Sequence, residues 1–269
     1  MSASGGTAVV VAVRGTALRV LAPVILAGLL LVGWQAAVDL GEIPPFLLPS
    51  PRAIGGELVA MWPTISGAIV VTGTNAAVGL ALGGLLGIGA AVLAGLLRTA
   101  DRLLAPLVAG LAVVPIVALA PVLYTMFGAA SEVARQVVAA VAVLVPVFVN
   151  TLRGLRQVRP VHRDLMRVYA ATPGQVTRTV TVPAALPFVF TGLRLASSLA
   201  VISAIVAEYF GGPRTGIGSF ITTAAAGSNY ARAWSFVLGG VIVGLVFYGT
   251  TLAAEHLVRR RSGPSGRPG

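Results

Sequence analysis

The chain of 269 residues contains no cysteine and no lysine. Without cysteine there is no disulfide framework and no thiolate metal site. Without lysine there is no P-loop, because GxxxxGK[ST] uses that ammonium to reach the terminal phosphates of a nucleotide. If ATP drives this protein, another subunit binds it. Charge is scarce as well: 10% of residues are charged, against about 25% in ordinary soluble domains. His162 and His256 stand apart with no ligand-spaced neighbours, so no metal site is expected. No Ser/His/Asp or paired-carboxylate arrangement marks a catalytic centre, and no catalytic residue is assigned.

What the chain has instead is apolar length. Hydrophobic residues make up 57% of it, in uncharged stretches that reach the roughly 20 residues needed to cross a hydrocarbon core. Six spans are expected: Leu18–Val38, one within Pro63–Leu97, Leu103–Phe127, Val133–Leu152, Pro187–Ala207 and Trp234–Val258. The expected fold class is an all-α integral membrane protein of six transmembrane helices. All 19 basic residues are arginine and the formal charge is +11. Their clustering beside the spans reads as topology rather than nucleic-acid binding. Among the segments flanking the spans, Arg52, Arg135, Arg214 and Arg232 fall on one side. The rest fall on the other, which puts both termini in the cytoplasm. Arg194 lies inside span five, where snorkelling and a role in a pathway are the two readings.

Two spans carry packing signals. Gly79, Gly83 and Gly87 recur every fourth residue in span two, with Ala91 and Gly95 extending the stripe. Small residues at that spacing let helix backbones approach closely, so disrupting the stripe is expected to reduce dimer recovery or transport. The plainer reading is the ordinary abundance of glycine in membrane helices. Span three holds Pro106, Pro115 and Pro121, each favouring a kink.

The long polar segment Asn150–Pro187 is the most informative. Pro160 suits a first helical position, and Val161, Leu165 and Val168 share a face apart from His162, Arg163 and Arg167. Thr172-Pro173-Gly174-Gln175 then reads as an N-cap, a first-turn proline and a capping-box partner. One short helix should end near Ala171 and another begin at once, carry Val176 and Val180 as its stripe, and stop at Pro183. This is a compact cytoplasmic helix–turn–helix.

Here the sequence resembles the permease subunits of ATP-binding cassette (ABC) importers, of the binding-protein-dependent inner-membrane type, in the branch that handles taurine, alkanesulfonates and nitrate. That family's cytoplasmic signature is Glu-Ala-Ala, three residues, Gly, nine residues, then Ile-x-Leu-Pro. At the same spacing this chain has Asp164-Leu165-Met166, Ala170, Val180 and Val182-Pro183. Further matches are Leu48-Pro-Ser-Pro51, Asn150-Thr151, Gly154-Leu155, Pro183-Ala-Ala-Leu-Pro187, Gly192-Leu-Arg194, Ala207-Glu208 and Gly216-Ile-Gly218.

The resemblance implies a single permease domain over residues 18–258, between a cytoplasmic leader (1–17) and a disordered cytoplasmic tail (259–269), in a bacterial inner membrane. It implies ATPase coupling through Asp164, Ala170, Thr172, Pro173, Gly174, Gln175, Val180 and Pro183. It also implies a second permease copy or close paralogue, cytoplasmic ATPase subunits that hold ATP-Mg, and an extracytoplasmic solute-binding protein or lipoprotein. No cofactor is expected in this chain, and membrane lipid rather than nucleic acid is its surrounding partner. The glycine-rich segment after span five offers Glu208, Gly212, Gly216 and Gly218 as a substrate path or gate, with Ser219–Gly227 as a short re-entrant helix. A plain surface loop and a solvated interfacial Glu208 are the alternatives. The stretch Ala207–Gly218 looks most like relatives assigned to riboflavin or thiamine-precursor pyrimidines; sulfonate, nitrate or another small organic solute are the other candidates. An ion-coupled secondary transporter would need mid-span acids, which are absent, and a scaffold without transport is the remaining rival.

Overall fold

In the computed structural model the backbone is described for residues 5–261 and the side chains for 21–258. Among the described residues every regular element is helical. The elements are α1 (Gly5–Leu40), α2 (Pro51–Ala60), α3 (Trp62–Leu96), α4 (Arg98–Val113), α5 (Ile116–Phe127), α6 (Val133–Arg156), α7 (Pro160–Val168), α8 (Pro173–Val176), a π turn (Thr177–Thr181), α9 (Val182–Phe210), α10 (Ile217–Ala226) and α11 (Tyr230–Arg261). Among the described residues five helical stretches are long and apolar enough to cross a membrane, and six when the bent pair α4–α5 counts as one. Counted that way, the helices supply the six spans expected.

The boundaries differ from those expected, each for a local reason. The leader is not separate from span one, since α1 runs without a break from Gly5 to Leu40. At the other end α11 continues through Arg259 and Arg260 to Arg261, so the helix overruns the start of the expected tail; residues 262–269 lie outside the described residues. Span three is broken rather than kinked. α4 and α5 meet at 97° across Val114-Pro115, whereas Pro106 and Pro121 sit inside helices that continue. Pro115 takes extended backbone ahead of α5, the position where its missing N–H costs least. The Leu48-Pro-Ser-Pro51 match proves to be a helix start: Ser50 Oγ accepts from Ala53 N at 3.2 Å, and Pro51 fills the first turn of α2.

The bundle is built around α3, α6 and α9. The glycine stripe allows α3 to lie parallel to α6 at backbone contact. A Cβ on Gly87 would come within 2.9 Å of the Leu144 carbonyl, and one on Gly83 would overlap the Ala140 carbonyl. The close helix packing expected of the stripe is observed, and its partner is α6 of the same chain rather than a second copy. α9 packs antiparallel to α6, with Gly154 against Ala185 and Phe188, and Gly192 against Pro146 and Val147. Helix α10 is wedged between α9 and α11, its Phe220 stacked on Phe236 with centroids 4.9 Å apart. By contrast α1 touches the bundle mainly near its end, where Trp34 meets Trp234 edge-on at 6.1 Å. The apolar residues from Leu21 to Val32 stay exposed on α1, as expected for a helix whose solvent is lipid.

Candidate functional site: a rod between a buried polar cluster and an exposed segment

Pro183 does not stop the short helix that begins at Pro173, which corrects the sequence expectation. The helix widens into a π turn at Thr177–Thr181, where Val182 N donates to the Thr177 carbonyl five residues back, and then runs on as α9. The wider register makes room for a proline ring that would clash with the preceding turn of an ordinary α-helix. The result is one helical rod from Pro173 to Phe210, 38 residues and roughly 55 Å long. Its two ends hold the two groups of residues singled out in the sequence.

At the first end the helix–turn–helix forms. Thr172 Oγ1 accepts from Gln175 N at 3.4 Å and Thr172 N donates to Gln175 Oε1 at 2.8 Å, the reciprocal capping box. The reversal before it is a Schellman motif: Ala171 N donates to the Met166 carbonyl and Ala170 N to the Arg167 carbonyl. Ala170 accordingly sits at φ +49°, in the left-handed region that disfavours a Cβ. This explains why the signature places glycine here, and identifies alanine as a strained substitute. None of the side chains of α7 or α8 is buried. Val161 (71% exposed), Val168 (82%) and Tyr169 (73%) present an apolar face beside Arg163 and Arg167. Asp164 is also exposed and pairs with Arg167 at 3.1 Å. Val180 is half-buried, Pro183 lies in the first turn of α9, and Gly174 has no close neighbour.

At the far end Glu208 is buried, 2% exposed, and not a solvated interfacial carboxylate. It accepts from Thr72 Oγ1 at 2.9 Å and from Gly218 N at 2.8 Å, while Ile217 N donates to Thr72 Oγ1 at 3.0 Å. Two of the four unpaired N–H groups opening α10 are thus satisfied by side chains of α9 and α3. An anion belongs there, since the helix N-terminus carries partial positive charge. Gly216 and Gly218 exist to admit Glu208: a Cβ on Gly216 would overlap its carboxyl, and one on Gly218 would come within 2.7 Å of its Cβ. Gly212, at φ +88°, would place a Cβ within 2.8 Å of the Tyr124 hydroxyl and 2.9 Å of Arg135. All four candidate path residues therefore converge on one cluster.

Sequence reasoning missed the centre of that cluster. Arg135, assigned to an external segment, is fully buried in the first turn of α6. It donates to Glu132 at 2.7 Å, to the Tyr124 hydroxyl at 3.2 Å and to the Pro213 carbonyl. Asn75 extends the cluster by donating to Glu132 at 2.7 Å and accepting from Gln136 at 3.1 Å. The i,i+3 pair Glu132–Arg135 was visible in sequence, but its burial depends on α5 and the 211–213 loop folding over it. A cleft of about 380 Å³ opens beside the cluster, lined by Glu208, Tyr209, Arg214, Ser219, Thr222 and Thr223. Near the middle of the rod, Arg194 pairs with the buried Glu255 of α11 at 3.3 Å, so it is more than a snorkelling residue. Among the described residues no cluster of three His, Asp or Glu could hold a metal.

Residues 83–263 match the model of the binding-protein-dependent transport system inner membrane component. The chain belongs to that family. It is 35% identical to the riboflavin transport system permease protein of Chloroflexus aurantiacus over 73% of each chain. It is 31% identical to a probable ABC transporter permease of Haemophilus influenzae, over 86% of this chain and 94% of that one. It is 30% identical to the putative aliphatic sulfonates transport permease of Bacillus subtilis, over 78% and 76%. Among solved structures, the methionine ABC transporter in an inward-facing conformation shares the fold, with a TM-score of 0.59 at 18% identity, over 76% of this chain and 98% of that one. The chain is thus a multi-pass ABC transporter permease.

Proposed function

We propose that this permease imports a small organic solute by moving the Pro173–Phe210 rod, and that ATP is hydrolysed on separate ATPase subunits docked against α7 and α8. The observation that carries this reading is the rod itself. A single helix joins an unpartnered apolar and basic surface to the buried cluster around Glu208. A push at Thr172 is transmitted along a helix stiffened by its capping box, and α10 must follow because Glu208 holds its N-terminus. The docking contacts would come from Val161, Leu165, Val168 and Tyr169, with Ala170 and the Thr172–Gln175 cap fixing their angle. Asp164 contributes orientation through Arg167 more than attraction, since exposed pairs are worth little.

The path runs beside Glu208, Gly212, Gly216 and Gly218, and the cleft there is the entry point for solute from an extracytoplasmic binding protein. Two copies of this chain form the pore, with termini in the cytoplasm of a bacterial inner membrane, as the arginine bias favours. The chain itself has no enzymatic activity and no resident cofactor. For the solute we favour riboflavin or a formylaminopyrimidine-like heterocycle. The riboflavin permease is among the relatives, as is the formylaminopyrimidine permease of Halalkalibacterium halodurans, 33% identical over 75% of this chain.

Reconstitution with the cognate ATPase and binding protein tests the reading. Uptake is expected to require ATP and to disappear when Pro160–Val176 is replaced by a Gly/Ser linker of equal length, while the chain still inserts. Unchanged uptake with that linker refutes coupling through this segment. Binding of sulfonate rather than a heterocycle by the binding protein refutes the solute assignment alone.

A further inference from the structure

A cavity near the arginine-rich end is used by neither the rod nor the Glu208 cluster. It measures about 550 Å³ and lies between α4 and α6. Its walls are apolar, formed by residues such as Val108, Ala112, Phe148 and Leu152, and only one end is polar, where Arg153 and Arg156 stand. Because α4 runs antiparallel to α6, that end also receives the first turn of α4 with Arg98 and Arg102. Asp101 binds Arg156 at 2.5 Å and is the one acid beside these four arginines. Arg153 has no ion pair among the described residues, is exposed, and keeps its donors available.

An apolar slot between two helices with an unpaired guanidinium group at one end matches a two-part ligand. We infer that this groove binds an anionic phospholipid, with an acyl chain between α4 and α6 and the phosphate on Arg153. A zwitterionic lipid has the chain but carries a compensating cation that the arginines repel. A soluble anion has the charge but gains nothing from the apolar walls. Guanidinium suits the head because its planar fork pairs two phosphate oxygens at once. The angle between α4 and α5 gives the site a consequence: a chain wedged against α4 holds that half of the broken span to α6.

The test is lipid retention by the full-length chain, measured by native mass spectrometry with phosphatidylglycerol and phosphatidylcholine supplied in equal amounts. Wild type is expected to retain phosphatidylglycerol preferentially. Arg153→Gln, at an exposed position that does not threaten folding, is expected to lower its retention about fivefold and leave phosphatidylcholine unchanged. Ala109→Trp, which fills the groove and keeps every charge, is expected to lower phosphatidylglycerol retention as well. Arg52→Gln, at an exposed position at the opposite end of the bundle, is expected to leave the retention of both lipids unchanged. Equal retention of the two lipids, or no response to Arg153→Gln, overturns the proposal. So does an equal response to Arg52→Gln, which would mean charge without a site. A change in the number of protein copies, with lipid retention intact, would show the groove to be a protein interface and also overturn it.

Discussion

The two ends of the Pro173–Phe210 rod are opposites in how their polar groups are satisfied. Around Glu208 and Arg135 the charged groups are buried and find partners within the chain: hydroxyls of Thr72 and Tyr124, the Gly218 amide, the Pro213 carbonyl and Glu132. Around Thr172 the backbone is satisfied by caps while the side chains are left in the open. The buried end holds five elements together and tolerates no missing member, because a buried charge without its partner is costly. The exposed end loses little in stability when a side chain changes, and on the proposed reading its cost appears only when a partner docks. That reading separates cohesion from coupling along one helix, and single substitutions can tell them apart.

The sharpest break of this contrast is Arg135→Met. It leaves Glu132, the Tyr124 hydroxyl and the Pro213 carbonyl without their shared donor. A loss of about 3 kcal/mol is expected, the low end for a broken buried pair because Glu132 remains 36% exposed and can rehydrate. Chemical denaturation in mixed micelles would measure it. A change below about 0.5 kcal/mol, typical of surface substitutions, would mean that the cluster does not hold the bundle together.

Gly83→Ala comes next, at about 1–3 kcal/mol, because the added methyl overlaps the Ala140 carbonyl and must push α3 off α6. Gly89→Ala on the same helix is its control. Nothing lies within 4 Å of a Cβ there, so alanine should be neutral or stabilising. Similar unfolding midpoints for the two variants would remove the stripe from the packing account.

At the exposed end Thr172→Ala should cost about 1 kcal/mol locally. Hydrogen exchange at Gln175 and Val176 would report it, with global unfolding barely moved and ATP-dependent uptake reduced. If global stability fell as far as in Arg135→Met, the separation of coupling from cohesion would fail. The smallest effect is expected for Ala170→Gly, which relieves the left-handed strain and should stabilise the reversal by about 0.5–1 kcal/mol. Slower exchange at the Ala171 amide is the expected readout, and faster exchange would mean that glycine's flexibility outweighs the strain relieved.

Much of this was legible in the sequence, though unevenly. Thr172-Pro173-Gly174-Gln175 announced its capping box because capping is decided within four residues. The glycine stripe announced a close contact but not its partner, since Gly79, Gly83 and Gly87 describe only their own side of it. Glu208 was left with two readings, and Arg135 was placed outside the fold, for a related reason. Each sits near the end of an apolar run, where solvation is the ordinary expectation, and only the return of α10 and the 211–213 loop removes the water. Pro183 was misread because a proline stops an α-helix but not a helix that has already widened into a π turn.

By itself the sequence determined the class of the chain and favoured a direction for it. Apolar length makes spans, arginine placement favours an orientation, the absence of lysine excludes a P-loop, and local caps build the helix–turn–helix. These are properties of one segment against its solvent, and they need no knowledge of what lies across the bundle. The tertiary structure alone decided which helix fills the glycine stripe, that Pro173–Phe210 is one rod, and that Glu208 is buried at the start of α10. Those outcomes depend on contacts between residues such as Thr72 and Glu208, 136 positions apart. A carboxylate in water and a carboxylate capping a buried helix are the same letter until the fold brings its donors to it.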